Sequence, residues 1–183
     1  MASPFRSALA LLTQYAEYHR DRRNIVTHFV GVPMIVYAVS LLLARPLFEV
    51  AGVSLSPAWL VFGLVSLWYL TRGETAIGAA TVAAVGGLML LAHHFSAGSS
   101  TMAWLAWGVG MFVVGWIIQF IGHYYEGRKP AFADDLVGLL VGPMFVTLEL
   151  LGQLGLFKKL LTTIEAQVGP THVRDLAHHA ATR

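Results

Sequence analysis

Long stretches without charged side chains divide the sequence into segments that match the thickness of a membrane. Residues 24–44, 50–71 and 75–125 contain no Asp, Glu, Lys or Arg. A helix needs about 20 apolar residues to cross a hydrocarbon core of roughly 30 Å. The third stretch is long enough for two helices and breaks at the polar run of residues 93–100. The pattern therefore predicts transmembrane helices over 24–44, 50–71, 75–92 and 101–122.

Residues 136–157 form a fifth apolar segment with two interruptions. It contains the Gly142-Pro143 pair and one carboxylate, Glu149. Proline and a charged group inside a span are tolerated only where neighbouring helices or water satisfy them. The segment is therefore predicted to be either a kinked span or a re-entrant helix.

The two ends of the chain differ from this apolar middle. Residues 4–22 predict an amphipathic helix, because apolar and His side chains recur at near-helical spacing at Phe5, Leu9, Leu12, Ala16 and His19. After Lys158 the sequence becomes polar, and we expect its histidines to fray or lie on the surface: His172, His178 and His179. This organisation predicts one membrane-embedded catalytic domain over residues 1–157 and a polar tail over 158–183.

Composition supports this fold class and excludes others. Of the 183 residues, 56% are hydrophobic and only 12% are charged, about half the charged fraction of soluble domains. The balance of 12 Lys+Arg against 10 Asp+Glu argues against a nucleic-acid partner. The absence of Cys leaves eight His and the carboxylates for chemistry. We therefore predict an all-α membrane helical bundle with four to five spans and an N-terminal amphipathic helix, in contact with membrane lipid.

Basic residues in the short loops predict the orientation. If the N-terminus is cytoplasmic, the loops up to the end of the fourth span place only Arg45 on the opposite side of the membrane. The basic residues on the cytoplasmic side are then Arg6, Arg20, Arg22, Arg23, Arg72, Arg128 and Lys129. This distribution follows the positive-inside rule. The N-terminus and any site at that end are predicted to be cytoplasmic.

Two histidines flank the start of the first span. In one continuous helix His19 and His28 would lie about 180° apart. A break within residues 21–24, with Asn24 as the N-cap of the next helix, would let the two imidazoles converge. We expect such a break.

A second motif lies at the end of the fourth span. Gln119, His123 and Glu126 have the spacing of one helix face, and Gly127 is suited to end the helix. The predicted topology brings His123 to the same membrane face as His19 and His28. It places His93 and His94 at the opposite end.

Three imidazoles, with or without one carboxylate, suit a borderline divalent metal, and these motifs do not choose between Fe(II) and Zn(II). Asn24 and Gln119 would orient the imidazoles or a bound oxygen ligand. Each histidine alone could equally be a helix cap or an interfacial group, and Arg128 and Lys129 could serve only to set the topology.

Taken together, the two motifs resemble the 2-hydroxy fatty acid dioxygenase family, membrane proteins of fatty acid alpha-oxidation whose fungal members act in phytosphingosine breakdown. The matching blocks are His19-x4-Asn24-x3-His28-x2-Gly31-Val32-Pro33 and Gln119-Phe120-x-Gly122-His123-x2-Glu126-Gly127-Arg128-x-Pro130.

This resemblance implies an Fe(II)-dependent enzyme that uses O2 to cleave the C1–C2 bond of a 2-hydroxy fatty acid, giving a chain one carbon shorter. It implies His19, His28 and His123 as iron ligands and Glu126 as a fourth ligand or an acid/base group. Arg128 or Lys129 would attract the substrate carboxylate. A small transporter, a non-catalytic metal-binding membrane protein and a diiron enzyme are the alternatives. The last needs more His boxes than this chain offers.

Overall fold

The computed structural model describes residues 5–129 and 137–176 of the chain. This part of the chain contains seven helices and a small, exposed two-stranded hairpin. In chain order the elements are α1 (Ala8–Ala16), α2 (Arg22–Leu43), β1 (Phe48–Val50), β2 (Val53–Leu55), α3 (Pro57–Leu70), α4 (Thr75–Gly98), α5 (Thr101–Glu126), α6 (Gly138–Gln153) and α7 (Lys158–Val168).

Three of the helices are long and apolar enough to cross a membrane. They are α2, α4 and α5, with 22, 24 and 26 residues, and a fourth span is possible if the bent pair α6–α7 counts as one. At 1.5 Å rise per residue, each of the three exceeds a hydrocarbon core of roughly 30 Å. The predicted all-α membrane helical bundle is confirmed.

The second predicted span was placed too early. Residues 48–55 form an antiparallel hairpin in which Glu49 pairs with Ser54. Its turn has positive φ at Ala51 and Gly52, and Pro57 occupies the first turn of α3. A proline at this position begins a helix readily because its missing N–H needs no partner. The resulting helix has 14 residues, about 21 Å, and is short for a span.

The third span continues beyond the predicted end at residue 92. Helix α4 runs to Gly98, and the chain turns only at Ser99 and Ser100. Ser100 caps α5, since its hydroxyl accepts a hydrogen bond from the N–H of Ala103. The histidine pair therefore lies within α4 and not in a loop.

The fifth apolar segment is not one continuous helix over 136–157. Helix α6 ends at Gln153, and α7 leaves it at an angle of 115°. Gly155 has a positive φ, which allows the sharp change of direction. The prediction of an interruption is correct, but the bend follows the Gly142-Pro143 pair by about three turns.

The polar tail is more ordered than predicted. Residues 158–168 form α7, and Ile164 is buried in the same cluster as Leu12 and Phe145. His172 is exposed, as one of the two expected outcomes has it, and it does not fray, because its backbone pairs with the N-terminal part of the chain. His178 and His179 lie outside the described residues. The domain boundary at residue 157 stays a prediction.

Glycines bring α2 and α5 unusually close together. A Cβ atom added at Gly31 would lie 2.9 Å from the carbonyl oxygen of Gly115, and one added at Gly122 would overlap Oγ1 of Thr27. Only a hydrogen side chain fits at such contacts, as in other closely packed membrane helices. This packing aligns the start of α2 with the end of α5.

Candidate metal centre

A reversal between α1 and α2 places the first histidine. Helix α1 ends at Ala16, so the predicted helix over 4–22 was too long, and residues 17–20 form a turn. The N-cap of α2 is Asp21, whose carboxylate accepts a hydrogen bond from the N–H of Arg23. The predicted break exists, but Asn24 lies inside the first turn of α2 and is not the cap.

The reversal brings His19 against His28 and His123. The three imidazoles are buried, with ring centroids 4.4 to 5.1 Å apart. One potential ligand atom from each residue lies within 4.8 Å of the other two. The three side chains therefore lie together, as expected, and their role as metal ligands stays a prediction.

The protonation pattern of two histidines favours a cation between them. Nδ1 of His19 donates a hydrogen bond to the carbonyl of Tyr15 at 2.7 Å, and Nδ1 of His28 donates to the carbonyl of Asn24 at 2.8 Å. A neutral imidazole has one N–H, so both Nε2 atoms carry lone pairs. These atoms face each other at 3.0 Å. Two facing lone pairs fit a shared cation better than a hydrogen bond.

His123 adds a third ring nitrogen that could bind a metal. Its Nδ1 is buried and has no hydrogen-bond partner among the described residues. A buried polar atom without a partner is costly unless something else satisfies it. The three residues therefore fit a divalent ion such as zinc or iron, which accepts imidazole nitrogen.

Aromatic packing fixes His19 in place. The ring of Tyr15 stacks on it at 4.1 Å between centroids with an interplanar angle of 6°, and Phe145 of α6 lies at 5.4 Å. Burial, reinforced by the charges that His28 and His123 carry when protonated, holds the pKa of His19 well below its usual value. The ring is therefore neutral at physiological pH, as metal ligation requires.

Glu126 holds the turn that carries His19. Its carboxylate accepts hydrogen bonds from the backbone N–H of Arg20 at 3.0 Å, from that of Asp21 at 2.9 Å and from Nδ2 of Asn24 at 3.0 Å. Both carboxylate oxygens are thus engaged by the turn and α2, and the carboxylate is not among the clustered ligand atoms. The expected role as a ligand or acid/base group stays a prediction.

The C-terminal segment closes over the same turn. The N–H of Arg22 donates to the carbonyl of His172, and the N–H of His172 donates to the carbonyl of Arg20, both at 2.9 Å. The N–H of Arg174 reaches the carboxylate of Asp21 at 2.8 Å. We call residues 169–174 the C-terminal strap, and sequence reasoning missed it.

The site opens into a small cavity of about 60 Å³, here called the polar cavity. Its lining includes His28, His123 and Gln119, together with Tyr15. Nε2 of Gln119 is buried and has no hydrogen-bond partner among the described residues. The amide predicted from the second motif is therefore available to a bound molecule.

The predicted substrate-binding cations lie further out. Arg128 and Lys129 are exposed, and Arg128 donates a hydrogen bond to the carbonyl of Glu17 at 3.0 Å. Neither is among the residues that line the polar cavity. Their role stays a prediction.

His93 is remote from the cluster, as expected. Its Nε2 lies 2.8 Å from the hydroxyl of Ser56, which precedes α3. The same end of the bundle holds Arg45, whose guanidinium bonds Ser96 and Ser99.

Two aromatic residues of the site were not found from the sequence. Tyr15 lies four residues before His19, a helical spacing that could have indicated it. No local pattern connects Phe145 with the histidines.

The fold and this site define a class: helical membrane proteins with a buried cluster of three histidines open to an internal cavity. The family model described as "2-hydroxy-palmitic acid dioxygenase Mpo1-like" matches residues 5–154, and the chain belongs to this Mpo1-like family.

A curated relative supports the assignment. The 2-hydroxy-palmitic acid dioxygenase MPO1 of Saccharomyces cerevisiae is 32% identical over 155 residues, which are 82% of this chain and 83% of the relative. No solved structure gives a significant match. The resemblance drawn from the two histidine motifs is confirmed.

Proposed function

We propose that the chain is a dioxygenase of 2-hydroxy fatty acids that cleaves the C1–C2 bond with Fe(II) and O2. The observation that carries this proposal is the buried set of His19, His28 and His123, with lone pairs facing one another beside a cavity. The name of the yeast relative supplies the substrate class.

The proposed reaction balances without a further reductant. A 2-hydroxy fatty acid and O2 give the fatty acid shorter by one carbon, CO2 and water. The C2 atom changes from an alcohol carbon to a carboxyl carbon and C1 becomes CO2, so the substrate loses the four electrons that O2 accepts.

Fe(II) held by His19, His28 and His123 would supply the redox chemistry and lower the pKa of a coordinated hydroxyl. Every other contribution comes from the protein. The backbone carbonyls of Tyr15 and Asn24 accept hydrogen bonds from Nδ1–H of His19 and His28, respectively. These bonds hold the proton on Nδ1 and leave Nε2 of each ring facing the site. Glu126 holds the turn closed and acts on the site through His19.

Gln119 is proposed to bind the polar head of the substrate. Its free Nε2 can donate a hydrogen bond to a carboxylate or hydroxyl oxygen in the polar cavity. The exposed Arg128 and Lys129 would attract the anionic substrate at the membrane surface before it enters. With the predicted orientation, this surface faces the cytoplasm.

Metal analysis of purified protein and product analysis with 2-hydroxypalmitate test the proposal together. We expect bound iron and formation of the acid one carbon shorter under air. Replacement of His19, His28 or His123 by Ala should abolish both, and His94→Ala, at the other end of the bundle, should change neither. Iron-loaded protein that consumes no 2-hydroxy acid would refute the activity.

A further inference from the structure

A second, larger cavity adjoins the polar cavity. Its volume is about 300 Å³, within the range of ligand pockets. The two cavities share five lining residues on α2, α5 and α6: Ile35, Val36, Trp116, Leu139 and Pro143. We call the larger one the apolar cavity.

One face of α2 gives the length of the combined space. The residues along it are His28, Val32, Ile35, Val36, Val39, Ser40 and Leu43. From His28 to Leu43 the rise along the helix is about 22 Å. This length is greater than the thickness of one leaflet's acyl chains, which is half of a hydrocarbon core of roughly 30 Å.

The lining becomes apolar away from the histidines. Of the residues that line the apolar cavity, Ser40 and Tyr69 carry hydroxyl groups and none is charged. The Tyr69 hydroxyl is already used, since it donates to the carbonyl of Leu140 at 2.8 Å. The cavity therefore suits a hydrocarbon chain and not a second polar group.

The end of the apolar cavity that lies away from the histidines is lined by Leu43, Ala58 and Met89. Leu43 is the last residue of α2, and Ala58 lies in the first turn of α3. Met89 lies one helical turn before His93, which contacts Ser56. Ala58 and Met89 are 3% and 2% exposed and both line the cavity, so a larger side chain at Ala58 would compete with the contents of the cavity for space.

The geometry points to the apolar cavity as the acyl-chain site, with Ala58 and Met89 setting the longest chain that the enzyme accepts. This inference rests on the proposed function, because it takes the head of the chain to lie at the histidine cluster. The carboxylate and 2-hydroxyl occupy the polar cavity beside Gln119, and the methylenes pass Trp116 toward Ala58.

Chain selection at this site is steric. A fatty acid in a bilayer is already out of water, and lipid tails are as apolar as leucine side chains. Transfer of one more methylene from lipid into the cavity therefore gains little free energy. A chain that is too long meets packed side chains at the far end, and well-packed interiors resist overfilling. The activity should fall sharply beyond a limiting length.

Two opposite substitutions test the assignment of the far end. Ala58→Phe should shorten the limit, lowering kcat/KM for the longest accepted chain by about tenfold or more while short chains are used as before. Met89→Ala should lengthen the limit and raise kcat/KM for chains that the wild type rejects. Leu64→Phe is the matched control, because Leu64 is on the same helix as Ala58, is 71% exposed and does not line either cavity. The substrates are saturated 2-hydroxy acids from octanoic to docosanoic.

Photolabelling provides a readout that does not require turnover. A 2-hydroxypalmitate with a diazirine at its terminal carbon should label peptides that contain Ala58 or Met89. Labelling should be lost with excess unlabelled 2-hydroxypalmitate. Labelling confined to lipid-exposed residues of α5, such as Val113, would overturn the inference even if the enzyme is active.

The two hypotheses fail differently. If wild-type protein turns over no 2-hydroxy acid, the proposed function fails, and photolabelling alone decides whether the cavity binds the chain. If the wild type is active but Ala58→Phe and Met89→Ala keep its chain-length profile, the acyl-site assignment is wrong. If Ala58→Phe loses activity at every length, the Met89→Ala profile and photolabelling decide.

Discussion

Removal of the Glu126 carboxylate should open the turn that carries His19. Glu126 is 9% exposed and connects the end of α5 to two backbone N–H groups of the turn. In Glu126→Ala these groups, from Arg20 and Asp21, lose their acceptor. His19 remains attached to the site only through its own contacts and the C-terminal strap.

The size of the effect follows from those hydrogen bonds. A buried donor left without a partner costs about 1–3 kcal/mol, so two of them cost roughly 2–6 kcal/mol. Water entering the vacated space recovers part of this, and we expect a net loss of roughly 2–4 kcal/mol. The turn relieves the cost by moving away from α5, and His19 moves with it.

Iron content and thermal unfolding of the purified protein measure this prediction. Iron affinity should fall at least about tenfold, equivalent to about 1.4 kcal/mol, and Tm should fall by several degrees. The control is Glu74→Ala, since Glu74 is exposed and its side chain makes no capping hydrogen bond to α4. It should match the wild type in both measurements.

Glu126→Gln separates a holding role from proton transfer. The amide replaces one acceptor oxygen by an NH2 group that faces N–H donors, so a holding role predicts loss of iron and a lower Tm. An acid/base role predicts full iron content and wild-type Tm with turnover abolished. Wild-type iron affinity and Tm in Glu126→Ala would refute the reasoning.

Two further predictions concern helix packing and pH. Gly122→Ala places a methyl group against Thr27 and should destabilise the protein by about 1–3 kcal/mol. The control is Gly110→Ala, which should not destabilise the protein because there is open space at its Cβ position. Unfolding of both variants in detergent measures the difference. Burial alone would raise the pKa of Asp21, but hydrogen bonds from Arg23 and from the N–H of Arg174 lower it to about 2. The lowered pKa of Asp21 contributes about 2 kcal/mol to the free energy of unfolding above the unfolded-state pKa near 4, and this contribution is lost as the pH falls toward 2. Asp21→Asn should therefore weaken the dependence of Tm on pH in the acid range.

The sequence by itself determined the membrane helices and the grouping of the histidines. Uncharged segments predict α2, α4 and α5 because a bilayer excludes charge from any helix that crosses it. Alternation of direction from one span to the next then places His28 and His123 at one end and His93 at the other. Element boundaries were less accurate, because the hairpin is uncharged from Val50 onward and so cannot be told from the helix that follows it.

Only the tertiary structure decided how the site is held together. The Glu126 carboxylate accepts hydrogen bonds from residues more than a hundred positions earlier in the sequence, Arg20 and Asp21. The hydrogen bonds of the C-terminal strap to the same turn connect residues that are equally far apart. Hydrogen bonds between residues so far apart produce no periodic pattern in the sequence. The sequence also does not show whether a carboxylate binds a metal or a backbone N–H. The placement of the two cavities side by side likewise depends on separate helices, since Trp116 of α5 and Pro143 of α6 line both. Periodicity reports which face of a helix is apolar, while the space between helices depends on how they pack.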